Sequence, residues 1–271
     1  MGGRDVRVLA RHPLAVFVAL AFGWSWGLAL AARALGGGTE QPLLFAAQLG
    51  PSLAGLGAAW LCGGGAGLRA LVSQASRWRV EPYWYAVALF GPVLLWWIAF
   101  AYIAAVQPYS PVSTGEFLTF FPLFALQLLF GAGLGEELGW RGFLQSTLER
   151  NHGVVLASLA VGAIWALWSA PAWLLPRAGQ AVSLAPFLAF AALCLGYSLI
   201  FARVLHGANG SVWIVALLHA SESAAEPTWR SAVPSLGANP LVPLVHAAYV
   251  AFFALVAVFL PIGAAARRSS A

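Results

Sequence analysis

Apolar stretches long enough to cross a membrane recur along almost the whole chain, and this feature limits its fold more than any other. A spanning helix needs about 20 predominantly apolar residues, and such stretches follow one another from Leu14 to Leu260 without a long polar insertion. Of 271 residues, 61% are hydrophobic and only 8% are charged, too few to cover a water-soluble globule. We therefore expect an all-α protein, a polytopic transmembrane helical bundle in which residues 1–271 form a single membrane domain.

Hydropathy, with Gly, Pro and Arg taken as boundaries, divides the chain into about eight spans. The predicted spans are 13–34, 42–62, 83–106, 117–138, 153–175, 184–205, 210–226 and 240–263, followed by a short tail at 264–271. The first span is longer than the apolar core of a signal peptide and has no convincing cleavage site. A retained helix is therefore expected, with a cleaved leader as the alternative.

Arginine carries all the positive charge, because the chain has fourteen Arg and no Lys. Eight spans place eleven of them on one side of the membrane and three on the other. The larger set is Arg4, Arg7, Arg11, Arg69, Arg77, Arg79, Arg141, Arg150, Arg203, Arg267 and Arg268, and the smaller set is Arg33, Arg177 and Arg230. Basic loops stay in the cytoplasm, so both termini are predicted to be cytoplasmic. The high pI then reflects topology and contact with the lipid bilayer, and no nucleic-acid partner is expected.

Residues 68–80 differ from the spans, because Leu71, Val72 and Trp78 are interleaved with polar and basic residues. This pattern suits an amphipathic helix that lies in the cytoplasmic interface with its apolar side chains toward the lipid. A plain loop is the alternative interpretation.

A cluster of ionisable residues, Glu136, Glu137 and Arg141, follows the fourth predicted span. A charged group within a span costs about 2.5–3.5 kcal/mol by insertion scales, so such residues usually have a function. Glu137 and Arg141 are four residues apart and close enough to pair on a helix, which leaves Glu136 free to face elsewhere. A carboxylate in such a site could act as a general base on water, and a solvated helix end is the alternative.

A second polar group occurs in the short seventh span, where Glu222 and Ser223 follow His219 by three and four residues. Residues at this spacing lie on nearly the same helix face, so a water molecule or a metal could be held between them. A lone His on an apolar helix is more often a hydrogen-bonded packing residue, and that interpretation also applies here.

Several motifs occur in a characteristic order. They are Trp-Arg-Val at 78–80, Glu-Glu-x-x-x-Arg followed by Gly-Phe-Leu-Gln, then Ile-Trp-Ala-Leu-Trp-x-x-Pro, and finally Gly-Ser-Val-Trp-x-x-x-Leu-Leu-His-Ala. Over about residues 65–225 the chain resembles the CAAX protease and bacteriocin-processing (Abi) family of intramembrane endopeptidases.

The resemblance implies an eight-helix core with an active site inside the membrane that opens toward the cytoplasm. It implies that Glu136 activates water, that Glu137 and Arg141 shape the site, and that His219 holds water or a metal and stabilises the oxyanion. A divalent metal such as zinc would then be bound by His219 and Glu136. The substrates would be prenylated proteins, as in eukaryotic members, or other peptides and membrane proteins, as in bacterial ones.

The chain departs from the family pattern at two positions, since Ser169 stands where the family has His and Ser223 where it has Asn or Asp. Hydroxyls are uncommon ligands in catalytic zinc sites. Glu222 could compensate with a carboxylate, and His246 in the last span could replace the imidazole, although packing is the usual role of such a residue.

Two functions follow from these features. The first is an active metalloendopeptidase of the bacterial cytoplasmic membrane that cuts a peptide bond near the cytoplasmic face. The second is a catalytically inactive relative that acts in membrane binding, regulation or self-immunity to a bacteriocin. A transporter is a third class, but no pair of inverted repeats is visible in the sequence.

Overall fold

The computed structural model describes residues 11–36, 40–108, 113–175, 184–237, 239 and 241–259. Within these ranges all regular elements are helices, so the all-α prediction is confirmed. Numbered in chain order, the α-helices are α1 (Pro13–Leu35), α2 (Glu40–Ala47), α3 (Gly50–Ala75), α4 (Pro82–Val106), α5 (Phe120–Phe130), α6 (Ser146–Trp168), α7 (Ala170–Leu174), α8 (Leu184–Gly207), α9 (Val212–Ala232), α10 (Pro234–Gly237) and α11 (Leu241–Phe259).

Five helical segments among the described residues are long and apolar enough to cross a membrane. A sixth results if α2 and α3, bent by 41° at their junction, are one broken span. The polytopic helical bundle is therefore confirmed, whereas the predicted number of spans, about eight, and the cytoplasmic position of both termini stay predictions.

Two predicted spans, 117–138 and 153–175, overlap one helical run of 55 residues, Thr114–Trp168. A straight helix of this length would measure about 80 Å, more than twice the roughly 30 Å hydrocarbon core of a bilayer. The run is interrupted at Gly131, where φ is −108° and ψ is −134°, and at Gly153, where φ is 69° and ψ is 169°. The break at Gly153 coincides with the predicted start of the fifth span, whereas the break at Gly131 lies inside the predicted fourth span.

The predicted interfacial segment, 68–80, is helical only as far as Ala75, where α3 ends. Leu71 is 3% exposed and packs near Gly142, whereas Val72 and Trp78 are exposed. The alternation of buried and exposed apolar residues agrees with an amphipathic segment, and its position in a membrane interface stays a prediction.

Helix α9 lies at the centre of the bundle, in contact with α4, α5, α8 and the π-helical segment before Glu137. Ser211 caps its N-terminus, since the Ile214 N–H donates to Ser211 Oγ at 3.3 Å. Polar residues such as His219, Ser221 and Thr228 are buried in this helix. Because protein rather than lipid surrounds α9, a polar helix can be kept at this position.

The backbone of α3 approaches that of the Glu137 region very closely. A Cβ atom at Gly139 would overlap the carbonyl group of Pro51, and one at Gly55 would lie 2.9 Å from the Gly139 Cα. Such contact between small residues is a usual way for helices to associate in lipid. The contact fixes the segment that carries the ionisable cluster against α3.

We expect Gly139→Ala to lower the free energy of unfolding by about 1–3 kcal/mol or more, because the added methyl group meets backbone that cannot move aside. The matched control is Gly23→Ala on α1, where a Cβ meets nothing within 4 Å. Thermal unfolding of both variants in detergent micelles measures the difference. Equal melting temperatures for the two variants would contradict this account of the α3 contact.

Candidate active site

Two π-helical segments, Ala132–Glu136 and Leu138–Gln145, carry the ionisable cluster between α5 and α6. π-helical turns are rare and are frequently found at functional sites. A Cβ at Gly133 would lie 2.8 Å from Leu128 backbone atoms and 3.0 Å from the Ala216 carbonyl oxygen on α9. The glycine therefore lets the first segment approach the central helix, which brings Glu136 and Glu137 close to His219.

The Glu137 carboxylate joins the two parts of the site. It is fully buried, and its Oε1 accepts from Arg141 Nη1 at 3.3 Å and lies 2.7 Å from His219 Nδ1. The predicted pairing of Glu137 with Arg141 is thus present, whereas the contact of His219 with Glu137 was not predicted. A carboxylate oxygen can only accept, so Nδ1 of His219 carries the shared proton. Nε2 is then the ring nitrogen left for a ligand.

Aromatic rings enclose the charged groups of this network. The Arg141 guanidinium lies 4.8 Å from the Phe201 ring centroid and 5.6 Å from that of Trp165, and Nη2 donates to Ser198 Oγ at 3.0 Å. The same two rings lie 5.0 Å (Trp165) and 5.1 Å (Phe201) from the His219 ring. These contacts keep lipid and bulk water away from the ion pair and fix the imidazole plane.

Glu136 faces a different direction from Glu137, as its place in the cluster predicted. Its Oε2 accepts a hydrogen bond from Trp140 Nε1 at 3.1 Å, and Glu136 is 5% exposed. It lines a cavity of about 1030 Å³ that His219 also lines. The carboxylate and the imidazole therefore reach one space that is large enough for part of a substrate.

The cavity is also lined by the two residues that depart from the family pattern and by the two residues proposed to compensate for them. Its lining includes Ser169, Glu222, Ser223 and His246 together with Glu136 and His219. The sequence therefore pointed to residues that share one cavity, although their roles in catalysis stay predictions.

Glu222 lies in a second polar cluster within this cavity. Its Oε1 accepts from Tyr197 Oη at 2.7 Å and from Trp96 Nε1 at 3.4 Å, and it lies 3.7 Å from His246 Nε2. Tyr197 Oη is 2.5 Å from His246 Nε2, and since the phenol donates to Glu222, the ring nitrogen donates to the phenol oxygen. Trp96 stacks on His246 with the ring centroids 3.8 Å apart.

Sequence reasoning missed Tyr197 and Trp96. Each is an aromatic residue with one polar atom inside an apolar stretch, and such residues also occur at membrane interfaces. Their positions on α8 and α4 gave no local signal for a contact with Glu222 on α9. Only the arrangement of these helices brings them together.

Ser169 lies at the end of α6, where its Oγ donates to the Trp165 carbonyl oxygen at 3.1 Å. The hydroxyl thus donates its hydrogen bond to a backbone carbonyl group in the last turn of α6, although Ser169 also lines the cavity. Ser223 also lines the cavity, one turn beyond His219 on α9.

The donor set does not match the usual catalytic zinc site. Such sites have three protein ligands, most often His, Glu or Cys, and the described residues contain no group of three His, Cys, Asp or Glu side chains that could hold a metal ion. Glu136 and His219 supply two donors at the cavity, and Ser169 and Ser223 supply only hydroxyls. The binding of a metal by Glu136 and His219, which the resemblance implies, stays a prediction.

Comparison with known families adds to this geometry. Residues 117–225 match the family model described as type II CAAX prenyl endopeptidase, Rce1-like. The match contains the Glu136 cluster, His219 and both departures, Ser169 and Ser223, and it confirms the resemblance in the motifs. No curated protein matches the chain.

We expect Glu137→Gln to lower the free energy of unfolding by about 3–5 kcal/mol, because it leaves the Arg141 charge buried without its counterion. The matched control is Glu226→Gln, which breaks another i, i+4 ion pair, with Arg230, whose side chains are 43% (Glu226) and 36% (Arg230) exposed. That change should cost less than about 1 kcal/mol. Unfolding in detergent measures both variants, and an equal loss would contradict the central role of Glu137.

Proposed function

We propose that this Rce1-like protein is an intramembrane endopeptidase that depends on Glu136 and acts in the bacterial cytoplasmic membrane. One observation carries the proposal. Glu136 and His219, from segments 83 residues apart in sequence, line one cavity, and a buried carboxylate holds the imidazole. A residue that served only in packing would not need such a partner.

Hydrolysis begins with a water molecule between Glu136 and the peptide carbonyl carbon. Glu136 takes a proton from the water as its oxygen bonds to the carbonyl carbon, and the carbonyl π electrons move to the oxygen. His219, protonated at Nε2, donates a hydrogen bond to this oxyanion, and Glu137 balances the positive charge of the ring.

The intermediate then collapses. The oxyanion re-forms the carbonyl, the carbon–nitrogen bond breaks, and Glu136 returns its proton to the leaving nitrogen. The products are a new carboxyl group and a new amine, and both side chains regain their starting protonation states.

Glu222 supports the reaction as a second carboxylate in the same cavity. Hydrogen bonds from Tyr197 and Trp96 fix one of its oxygens, which leaves the other oxygen for a contact with substrate or water. It lies one residue before the position where the family has Asn or Asp. The compensation suggested by the sequence therefore has support from the geometry.

The second candidate function is that of an inactive relative that binds a peptide or membrane partner. Two observations favour it, namely the replacement of His by Ser169, whose hydroxyl satisfies a helix end, and the replacement of Asn or Asp by Ser223. Regulation or self-immunity would then need the cavity but not the Glu136 carboxylate.

The proposal predicts that Glu136→Gln lowers peptide cleavage by at least about 100-fold, since the general base is lost while shape and size are kept. The purified protein in lipid nanodiscs is incubated with a pool of synthetic peptides in ¹⁸O-water, and mass spectrometry locates each new carboxyl group by its ¹⁸O label. The control is Glu81→Gln at the exposed start of α4. Equal cleavage by the Glu136→Gln and wild-type proteins would reject the mechanism.

A further comparison separates the active enzyme from the inactive relative. If Glu222 compensates, Glu222→Gln should lower cleavage about 10- to 100-fold, as expected for loss of a charge-assisted hydrogen bond. Restoring the family residues by Ser169→His with Ser223→Asn should then be unnecessary for activity. Cleavage that appears only in this double variant would support the inactive relative instead.

A further inference from the structure

The cavity has a floor and a rim that lie at different depths in the bundle. The floor contains Glu136 and His219, which are 5% and 4% exposed, near the middle of their helical runs. The rim contains Arg33, Glu40, Trp173 and Arg230, which lie at or just beyond the ends of α1, α6 and α9 and at the start of α2. The cavity therefore runs from the middle of the bundle to one end.

Contacts between neighbouring chain segments identify this end. The Ser113 N–H, just after α4, donates to the Ala232 carbonyl oxygen at 2.9 Å. The last turn of α6 is also joined to α1, because Trp26 Nε1 donates to the Trp168 carbonyl oxygen at 2.9 Å. The C-terminal ends of α4, α6 and α9 thus lie on the side of the rim.

The opposite end of the bundle holds most of the arginines among the described residues. Arg77 Nη1 donates to the Asn209 carbonyl oxygen at 3.0 Å, and Glu149 lies 3.0 Å from His206, so the ends of α3, α8 and the start of α6 meet there. Arg69, Arg77, Arg79, Arg150 and Arg203 belong to this end, and none of them lines the cavity. On the rim, Arg33 and Arg230 are two of the three arginines in the smaller set.

Two predictions made from the sequence therefore disagree with each other. The arginine distribution puts the end with Arg77 in the cytoplasm, whereas the family resemblance predicts a site open to the cytoplasm. The cavity opens on the side opposite to Arg77, so only one of the two predictions can be correct. The arginine distribution is a physical property of this chain, and the direction of opening came only from the resemblance.

We propose that the cavity opens to the non-cytoplasmic side of the membrane and accepts an apolar segment of a polypeptide exposed there. The inference about the substrate rests on the proposed hydrolysis, whereas the direction of opening does not. Aromatic residues dominate the upper walls, with Trp26, Trp168, Trp173 and Phe190 in the lining. The charged residues of the rim, Arg33, Arg230, Glu40 and Glu226, balance one another, so an aliphatic or aromatic side chain fits better than a charged one.

The test measures access by cysteine labelling in membrane vesicles. Cys62 and Cys194 are first replaced by Ala, and three single cysteines are then introduced by Ser223→Cys in the cavity, Ser113→Cys beside the rim and Ser73→Cys at the opposite end. Ser113 and Ser73 are both exposed. Right-side-out and inverted vesicles are treated with a charged maleimide that does not cross membranes, and the labelled fraction is followed over time.

We expect Ser223→Cys and Ser113→Cys to react at least tenfold faster in right-side-out vesicles, and Ser73→Cys at least tenfold faster in inverted ones. Labelling of Ser223→Cys from the same side as Ser73→Cys would overturn the proposal. So would labelling of both rim and cavity cysteines from the cytoplasmic side. A cavity cysteine that reacts from neither side, although the detergent-solubilised protein reacts, would show a closed cavity and would also overturn it.

This experiment is independent of catalysis. If the wild-type protein is inactive and Ser223→Cys is labelled from the non-cytoplasmic side, the proposed hydrolysis is rejected and the direction of opening is kept. If the wild-type protein is active and Ser223→Cys is labelled from the cytoplasm, the direction of opening is rejected and the hydrolysis is kept. Variants that keep the wild-type melting temperature in detergent are compared, so that misfolding does not produce the labelling pattern.

Discussion

The contact between Glu137 and His219 is the interaction on which the rest of the site depends. Glu137 is fully buried and also pairs with Arg141, so one carboxylate links the segment before α6 to the central helix α9. In a bilayer there is no water to replace either partner, and an unpaired charge would be strongly unfavourable. The network is thus stable only when both helices are in place, and it fixes the imidazole ring beside the cavity.

Much of the fold could be predicted because the bilayer imposes a simple rule on sequence. Apolar segments of about 20 residues predict helices, and α1, α4, α8 and α11 lie close to the predicted spans. The rule fails where protein replaces lipid as the surroundings. Helix α9 carries Glu222, Glu226 and Arg230 and is not among the helices apolar enough to span by composition. The breaks at Gly131 and Gly153 also depend on backbone geometry, which hydropathy does not report.

The site could be predicted only in part for a similar reason. The spacing of Glu137 and Arg141 on one helical run is a local property, and the pair formed as expected. The partnership of Glu137 with His219 and that of Glu222 with Tyr197 join residues 82 and 25 positions apart. No periodicity reports such contacts, because they depend on which faces of separate helices meet.

The distribution of ionisable groups argues against a bundle that is only structural. Among the described residues, the buried Glu, Arg and His side chains all lie in or beside one cavity, namely Glu136, Glu137, Arg141, His219 and His246. A charged side chain at the centre of a span costs about 2.5–3.5 kcal/mol to insert by translocon scales. Packing alone would be served at least as well by apolar residues of similar volume. A chain that keeps these groups together, with Ser169 and Ser223 beside them, has polar groups in a largely apolar cavity at a cost to its stability, as expected for a binding or catalytic role.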